Sequence, residues 1–268
     1  GTALQEQGDL GSAINSFQKA IQINPNYPEA HSNLGNALQA QGKLKEAIDC
    51  CRTSIKLNSN YPEAYINLGV ALKEQGDLNS AINSYQRALQ INPNYPEAHW
   101  NLSLVQLLQG NYKDGWQRYE WRWSKQNAKK PHAQPQIPEW KGEELKAGEP
   151  LLVVSEQGLG DTIQYMRYIP YLQKQGIDVS FCAQTKLHTL IKAANIHSNP
   201  LTTEQANAVA IGKWIPLLSI PKYLGVNPNN PIITDPYISV TDSLINKWKN
   251  ILANEQKPII AINWQGNP

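Results

Sequence analysis

The sequence predicts a two-part chain, an α-helical solenoid followed by an α/β unit, and three observations lead there. The block Ser12 to His31 returns at Ser80 to His99 with 17 identities in 20, and half of that 68-residue separation is also a period. All eight tryptophans lie at Trp100 or beyond, whereas the first hundred residues are rich in Ala, Gln, Asn and Leu. From Pro150 onward, short apolar runs alternate with segments of helical spacing, the pattern of a parallel sheet with crossover helices.

The 268 residues amount to about two domains at roughly 150 residues each. With 41% hydrophobic and 17% charged residues, the chain can build a core. Lys plus Arg is 24 against 22 for Asp plus Glu, so charge gives no case for nucleic acid or an acidic membrane as partner. No apolar run reaches the roughly 18 residues that cross a bilayer, and no basic-then-apolar leader opens the chain. Cys50, Cys51 and Cys182 lack the paired spacing of a disulfide framework or a zinc site, so a reducing, cytoplasmic compartment is expected and no metal. The periodic pattern is already under way at Gly1, and Met166 is the only methionine, so the sequence reads as a piece of a longer protein.

In the first part a Tyr-Pro-Glu-Ala block recurs at Tyr27, Tyr61 and Tyr95, and a glycine recurs at Gly8, Gly42, Gly76 and Gly110, in steps of 34 residues. Pro28, Pro62 and Pro96 suit a first helical turn, whose N–H groups have no intrahelical partner. Leu34 with Leu38, and Leu68 with Leu72, share a helical face, and Gly42 and Gly76 end those helices. In the second helices Ala13, Ala47 and Ala81 permit close approach, while Phe17, Cys51 and Tyr85 fill the adjoining space. This pattern resembles the tetratricopeptide repeat, with Gly35 and Gly69, Ala47 and Ala81, and Pro25 and Pro93 on its small-residue and proline positions. Ser59 departs from the terminal proline, and the unit opening at Pro96 is degenerate, with Ser103 for Gly and Gly115 for Ala. About three and a half units are expected.

Asn33, Asn67 and Asn101 share one register in three successive first helices. Such a row resembles the asparagine ladder of the O-GlcNAc transferase superhelix, which implies binding of an extended peptide on the concave face. A carboxamide both donates and accepts, so it can grip a peptide backbone; hydrogen bonding between helices or to solvent is the equal alternative. His31 and His99 fall on a large-residue position and read as packing histidines.

Trp116, Tyr119 and Trp123 of WQRYEWRW form an aromatic stripe, read as packing between domains, with stacking on a sugar as the alternative. Pro131, Pro135, Pro138 and Pro150 then mark an extended connector. The expected organisation is a helical solenoid over 1–126, a connector over 127–150 and an α/β unit over 151–268.

Leu151 to Val154 predicts a buried strand entering the Gly158–Gly160 turn. Asp161 with Gln164 has the form of a capping box opening a helix, Gly176 closes that segment, and Pro170 kinks or divides it. Ile177 to Cys182 reads as a second strand, Gln184 to Ala194 as a helix, Val209 to Ile211 as a third strand, with Tyr237 to Val240 pairing nearby. Leu244, Ile245, Trp248, Ile251 and Leu252 follow helical spacing, and Ile259 to Asn263 reads as a further strand. The Gly-rich turn lacks the third glycine of the dinucleotide fingerprint, where Ile163 stands, which weakens a nucleotide-dependent oxidoreductase reading. Such a turn still sets backbone N–H groups and a carboxylate at the carboxyl edge of a sheet, and Asp161 is the leading candidate base, with helix capping as its structural alternative.

The blocks YEWRW, EQGLGDTIQYMRYIP at Glu156 to Pro170, IPLLSIP at Ile215 to Pro221 and INWQGNP at Ile262 to Pro268 together resemble bacterial tetratricopeptide-repeat glycosyltransferases, whose catalytic part is similar to family nine heptosyltransferase-like enzymes. The resemblance implies a Rossmann-like α/β domain, the acceptor half of a GT-B fold whose donor half lies beyond this chain. It places a general base on Asp161, acceptor contacts on Gln157, Gly158, Gly160, Gln164 and Arg167, and a first donor loop on Trp264, Gly266 and Asn267. The implied reaction is metal-independent transfer from a nucleotide sugar, without cofactor, to an acceptor hydroxyl; the present piece is expected to be inactive by itself. Pro170 falls later after the aspartate than the family's proline does, so the acceptor pocket need not match. The rival expectation is a non-catalytic interaction scaffold, with repeats that recruit peptide and an α/β platform.

Overall fold

In the computed structural model, residues 1–232, 236–238 and 242–253 are described. The chain divides into two compact units, Gly1–Lys130 with Ser219–Pro231, and Pro131–Leu218 with Ile232–Pro268.

The first unit is built from helix pairs. The short α1 (Thr2–Glu6) precedes α2 (Leu10–Ile23), and the pairs α3 (Pro28–Ala40) with α4 (Leu44–Leu57), α5 (Pro62–Gln75) with α6 (Leu78–Ile91), and α7 (Pro96–Leu108) with α8 (Tyr112–Tyr119) follow. Each proline opens its helix at the first turn. Gly42, Gly76 and Gly110 carry φ of 78°, 93° and 83°, the left-handed conformation that closes a helix at little cost only for glycine. Asp9, Asp77 and Asn111 cap the second helices by accepting the N–H of Ser12, Ser80 and Asp114, a role the periodicity does not single out.

Within each pair the small residues set the spacing. A methyl placed at Gly69 would lie 2.5 Å from the Tyr85 ring, and one at Gly35 would lie 2.7 Å from Cys51 Sγ. Ala13, Ala47, Ala81, Cys51 and Tyr85 are fully buried in one continuous core. The first helices α3, α5 and α7 also touch one another in sequence, whereas α2, α4 and α6 make no comparable contact among themselves. The first helices therefore line the inner wall of the unit and the second helices its outer side.

A 3-10 turn, Glu120–Trp123, follows α8 and shifts the aromatic register, so Trp116 and Tyr119 are buried while Trp123 is half-buried. Trp116 Nε1 donates to the carbonyl of Val226 at 3.3 Å, and Arg122 is buried with its guanidinium on Glu120 and on Ser219 Oγ at 2.7 Å. Trp116 of the expected stripe thus meets the returning segment Ser219–Pro231 within the helical unit, where α13 (Ile220–Tyr223) contacts α8. A return after about a hundred residues leaves no local trace in a sequence.

The second unit holds a small three-stranded parallel sheet among its described residues, in the order β2-β1-β3: β1 (Pro150–Val154), β2 (Asp178–Cys182) and β3 (Lys213–Pro216). Between β1 and β2 run α9 (Leu159–Tyr165) and α10 (Tyr168–Lys174); between β2 and β3 run a 3-10 turn (Thr185–Leu187), α11 (His188–Ala193) and α12 (Thr203–Asn207); α14 (Asp242–Leu252) comes last. Four expectations are corrected here. The third strand is β3, not Val209 to Ile211: Ile211 is 75% exposed after α12, while Ile215 is fully buried beside Val153. The division expected at Pro170 falls at Met166–Arg167, because a proline fits the first turn of α10, where no intrahelical donor is needed. Helix Gln184 to Ala194 is a 3-10 turn continued by α11. Tyr237 and Ile238 are in no strand, and Ser239 and Val240 lie outside the described residues, as does the expected strand Ile259 to Asn263.

Candidate functional site

Two places carry the candidate chemistry. On the inner wall of the helical unit, Asn33, Asn67 and Asn101 project from α3, α5 and α7 in one register and are each half-buried. Asn67 Nδ2 donates to Ser32 Oγ at 2.9 Å, across to the preceding first helix. The residue that stands toward Asn101 as Ser32 stands toward Asn67 is Ile66, which has no hydroxyl. Among the described residues neither Asn33 nor Asn101 has a hydrogen-bond partner, so two of the three carboxamides keep donor and acceptor open. On the same unit Tyr95 Oη donates to Glu63 at 2.9 Å, and burial, more than the carboxylate, raises the phenol pKa.

The second place is a cavity of about 520 Å³ at the carboxyl edge of β1 and β2. Gln157 and Gly158 line it, as expected of the turn after β1, together with His132, Gln184, Lys186 and Glu204. Its wall is braced from below. His132 Nδ1 lies 2.9 Å from Ser155 Oγ, and Thr162 Oγ1 donates to Gln184 Oε1 at 2.9 Å. Gln184 Nε2 reaches back to the carbonyl of Gln157 at 3.4 Å. Beneath the turn, the fully buried carboxylate of Glu156 accepts the N–H of Leu218 at 3.1 Å. Hydrogen bonds from the backbone of Glu204 and the Thr202 hydroxyl hold the Glu204 carboxylate below its usual pKa, while burial pushes the Cys182 thiol up to about 11. His132 and Gln184 carry no motif; only their convergence in space marks them.

The other candidate residues fall elsewhere. Asp161 is not the N-cap of α9 but its third residue: Gly158 is the N-cap, and the Asp161 carboxylate reaches back to accept the Gly158 N–H at 3.0 Å. The capping box expected from Asp161 to Gln164 is thus replaced, one turn earlier, by half a box: Asp161 closes it, and Gly158 has no side chain to return the bond. Gly160, Asp161, Gln164 and Arg167 do not line the cavity. Nor does the turn demand glycine at 160: φ there is not left-handed and a methyl would meet nothing within 4 Å, while the left-handed residue is Gln157, at φ 61°. Arg167 donates through Nε to the carbonyl of Gln164 at 2.7 Å and lies 4.6 Å over the ring of Tyr237. Trp264, Gly266 and Asn267 lie outside the described residues. Among the described residues no group of three His, Cys, Asp or Glu side chains could hold a metal ion, and no helix is long and apolar enough to cross a membrane.

Comparison with known proteins bears on the first place only. Sequence models of the tetratricopeptide repeat match residues 1–42 with 71–110, 28–61 and 50–83. No curated protein matches the sequence. Among solved structures, MamA is 29% identical with a TM-score of 0.41, over 46% of this chain and 71% of its own. The first tetratricopeptide domain of Spaghetti (RPAP3), bound to the HSP90 peptide SRMEEVD, is 27% identical with a TM-score of 0.39, over 40% of this chain and 86% of its own. A thermophilic tetratricopeptide-repeat protein of Thermus thermophilus is 22% identical with a TM-score of 0.41, over 45% and 73%.

Proposed function

Residues 1–110 are tetratricopeptide repeats, and from that premise we propose that the chain is a protein-interaction scaffold whose inner helical wall holds an extended polypeptide. The open carboxamides of Asn33 and Asn101, flanking the engaged Asn67, carry this reading. They offer a donor and an acceptor each to a peptide main chain without reading its side chains, so affinity should depend little on sequence. The second unit is then a platform, and a cytoplasmic location accords with three cysteines that lack disulfide spacing. The test is a titration of extended peptides into the chain and into Asn33→Ala and Asn101→Ala variants. Each substitution should weaken binding by roughly fivefold, about one hydrogen bond's contribution. Unchanged binding in both variants would exclude the ladder.

A second reading rests on the cavity. A cavity at the carboxyl edge of parallel strands is where open α/β sheets bind ligands, which supports a ligand site there; the resemblance adds the reading of a Rossmann-like acceptor half and of transfer from a nucleotide sugar to an acceptor hydroxyl. In that reading Gln157 and Gly158 touch the acceptor, Gly160, Gln164 and Arg167 stand near it, and Asp161 takes the hydroxyl proton, with no metal required. Trp264, Gly266 and Asn267 serve the donor. Transfer assays of the whole protein with a panel of nucleotide sugars test it; turnover would establish the enzyme, and a lack of it across the panel leaves the scaffold as the function.

A further inference from the structure

The outer side of the helical unit contains a cavity that is empty in one repeat and filled by the chain itself in another. A notch of about 540 Å³ lies between α2, α3 and α4, lined by Gln18, Ile21, His31, Leu34, Cys50 and Thr53. At a separation of 68 residues, His31, Leu34, Cys50 and Thr53 correspond to His99, Leu102, Arg118 and Trp121. There the Trp121 ring lies flat on His99, with centroids 4.1 Å apart and planes 14° from parallel. Arg118 Nη1 donates to His99 Nδ1 at 3.0 Å, and His99 Nε2 donates to the carbonyl of Pro93 at 2.8 Å. His31 is anchored in the same way, Nε2 to the carbonyl of Pro25 at 3.0 Å, but its Nδ1 has no partner among the described residues. Cys50 and Thr53 are too short to cover what Arg118 and Trp121 cover. In the repeat between them the histidine is replaced by Tyr65, which removes the acceptor nitrogen.

We propose that the notch beside His31 is a docking site for a partner protein segment presenting a tryptophan ring with an arginine one helical turn before it. The filled repeat defines that chemistry: a planar ring for the imidazole face and a guanidinium donor for Nδ1. Charge agrees, since Asp49 stands on the rim with no ion-pair partner among the described residues. Burial most of all, and then the carboxylates of Asp49 and Glu46, raise the Cys50 thiol pKa. The notch opens where α2 and α4 meet α3, and Asn33 does not line it, so it is distinct from the asparagine row.

The test titrates the full chain with a synthetic peptide of residues Tyr112–Trp123 and with the same peptide carrying Trp121→Ala, following the His31 Cε1–H resonance. The tryptophan peptide should move that resonance upfield by ring current, and its alanine counterpart should bind about tenfold more weakly. Thr53→Trp, which puts the chain's own ring in the notch, should abolish binding; Cys50→Arg serves the same purpose if Thr53→Trp fails to fold. Equal binding of the two peptides, binding unaltered in the filled variants, or an unmoved resonance at millimolar peptide overturns the proposal. A His31 shift that grows with protein concentration alone assigns the notch to a second copy of the chain and overturns the separate partner.

Discussion

Asn67 donates its carboxamide to the hydroxyl of Ser32 at 2.9 Å, tying one inner-wall helix to the one before it. Ser32 is fully buried, so removing its partner leaves a hydroxyl that water reaches poorly. Asn67→Ala should therefore destabilise the helical unit by about 1 kcal/mol in urea unfolding. Asn33→Ala and Asn101→Ala break no such bond and should fall within about 0.5 kcal/mol of the parent. Losses at Asn33 and Asn101 equal to that at Asn67 would show that the three amides are structural alike.

The glycines separate into those whose space is taken and those whose space is open. At Gly69 a methyl would meet the Tyr85 ring at 2.5 Å, and Tyr85 is fully buried in the core. Gly69→Ala should cost about 1–3 kcal/mol by overpacking. At Gly160 nothing lies within 4 Å of the added carbon, so Gly160→Ala should be neutral or slightly stabilising, since alanine is the better helix former. Paired thermal melts read both effects.

This contrast shows what a sequence can and cannot disclose. Gly42, Gly76, Pro28, Pro62 and Ala47 act on their immediate neighbours at a fixed spacing, so periodicity alone locates the helix pairs. The strand at Lys213–Pro216 lies just beyond the run that reads as one, because Val209 to Ile211 is as apolar as Trp214 to Pro216 and only burial tells them apart. Gln157 in a left-handed conformation, His132 brought to Ser155, and Ser219–Pro231 returned to the helical unit all depend on contacts distant in sequence. The asparagine register is visible; which of its amides is spent depends on the chance of a serine at 32 and an isoleucine at 66.

His99 makes the helical unit sensitive to acid. Burial holds its pKa below the ordinary 6.5, the Arg118 guanidinium acts in the same direction, and the Pro93 carbonyl opposes them. The unfolded chain therefore takes up the proton before the folded one does. The stability contributed by neutral His99 is complete above the ordinary value and shrinks as the pH falls below it. Protonation would set an N–H against the donating Arg118, where an acceptor is required. Thermal midpoints measured from about pH 7.5 to about pH 5 should fall more steeply for the parent than for His99→Gln, and parallel slopes would remove His99 as the cause.

Asp161 is where structure and proposed chemistry can be pulled apart. Its carboxylate accepts the Gly158 N–H at 3.0 Å and so helps to cap α9. A carboxamide oxygen can accept the same bond, so Asp161→Asn should leave the melting midpoint nearly unchanged, while Asp161→Ala should cost roughly 1 kcal/mol. A base must also take a proton, which the amide cannot do. If the whole protein transfers a sugar through Asp161, both variants should lose about 10²–10⁴-fold in rate although only one loses stability. Full activity in Asp161→Asn would confine this residue to capping and move the search for a base to the cavity wall, where His132 is held against the buried Ser155 hydroxyl.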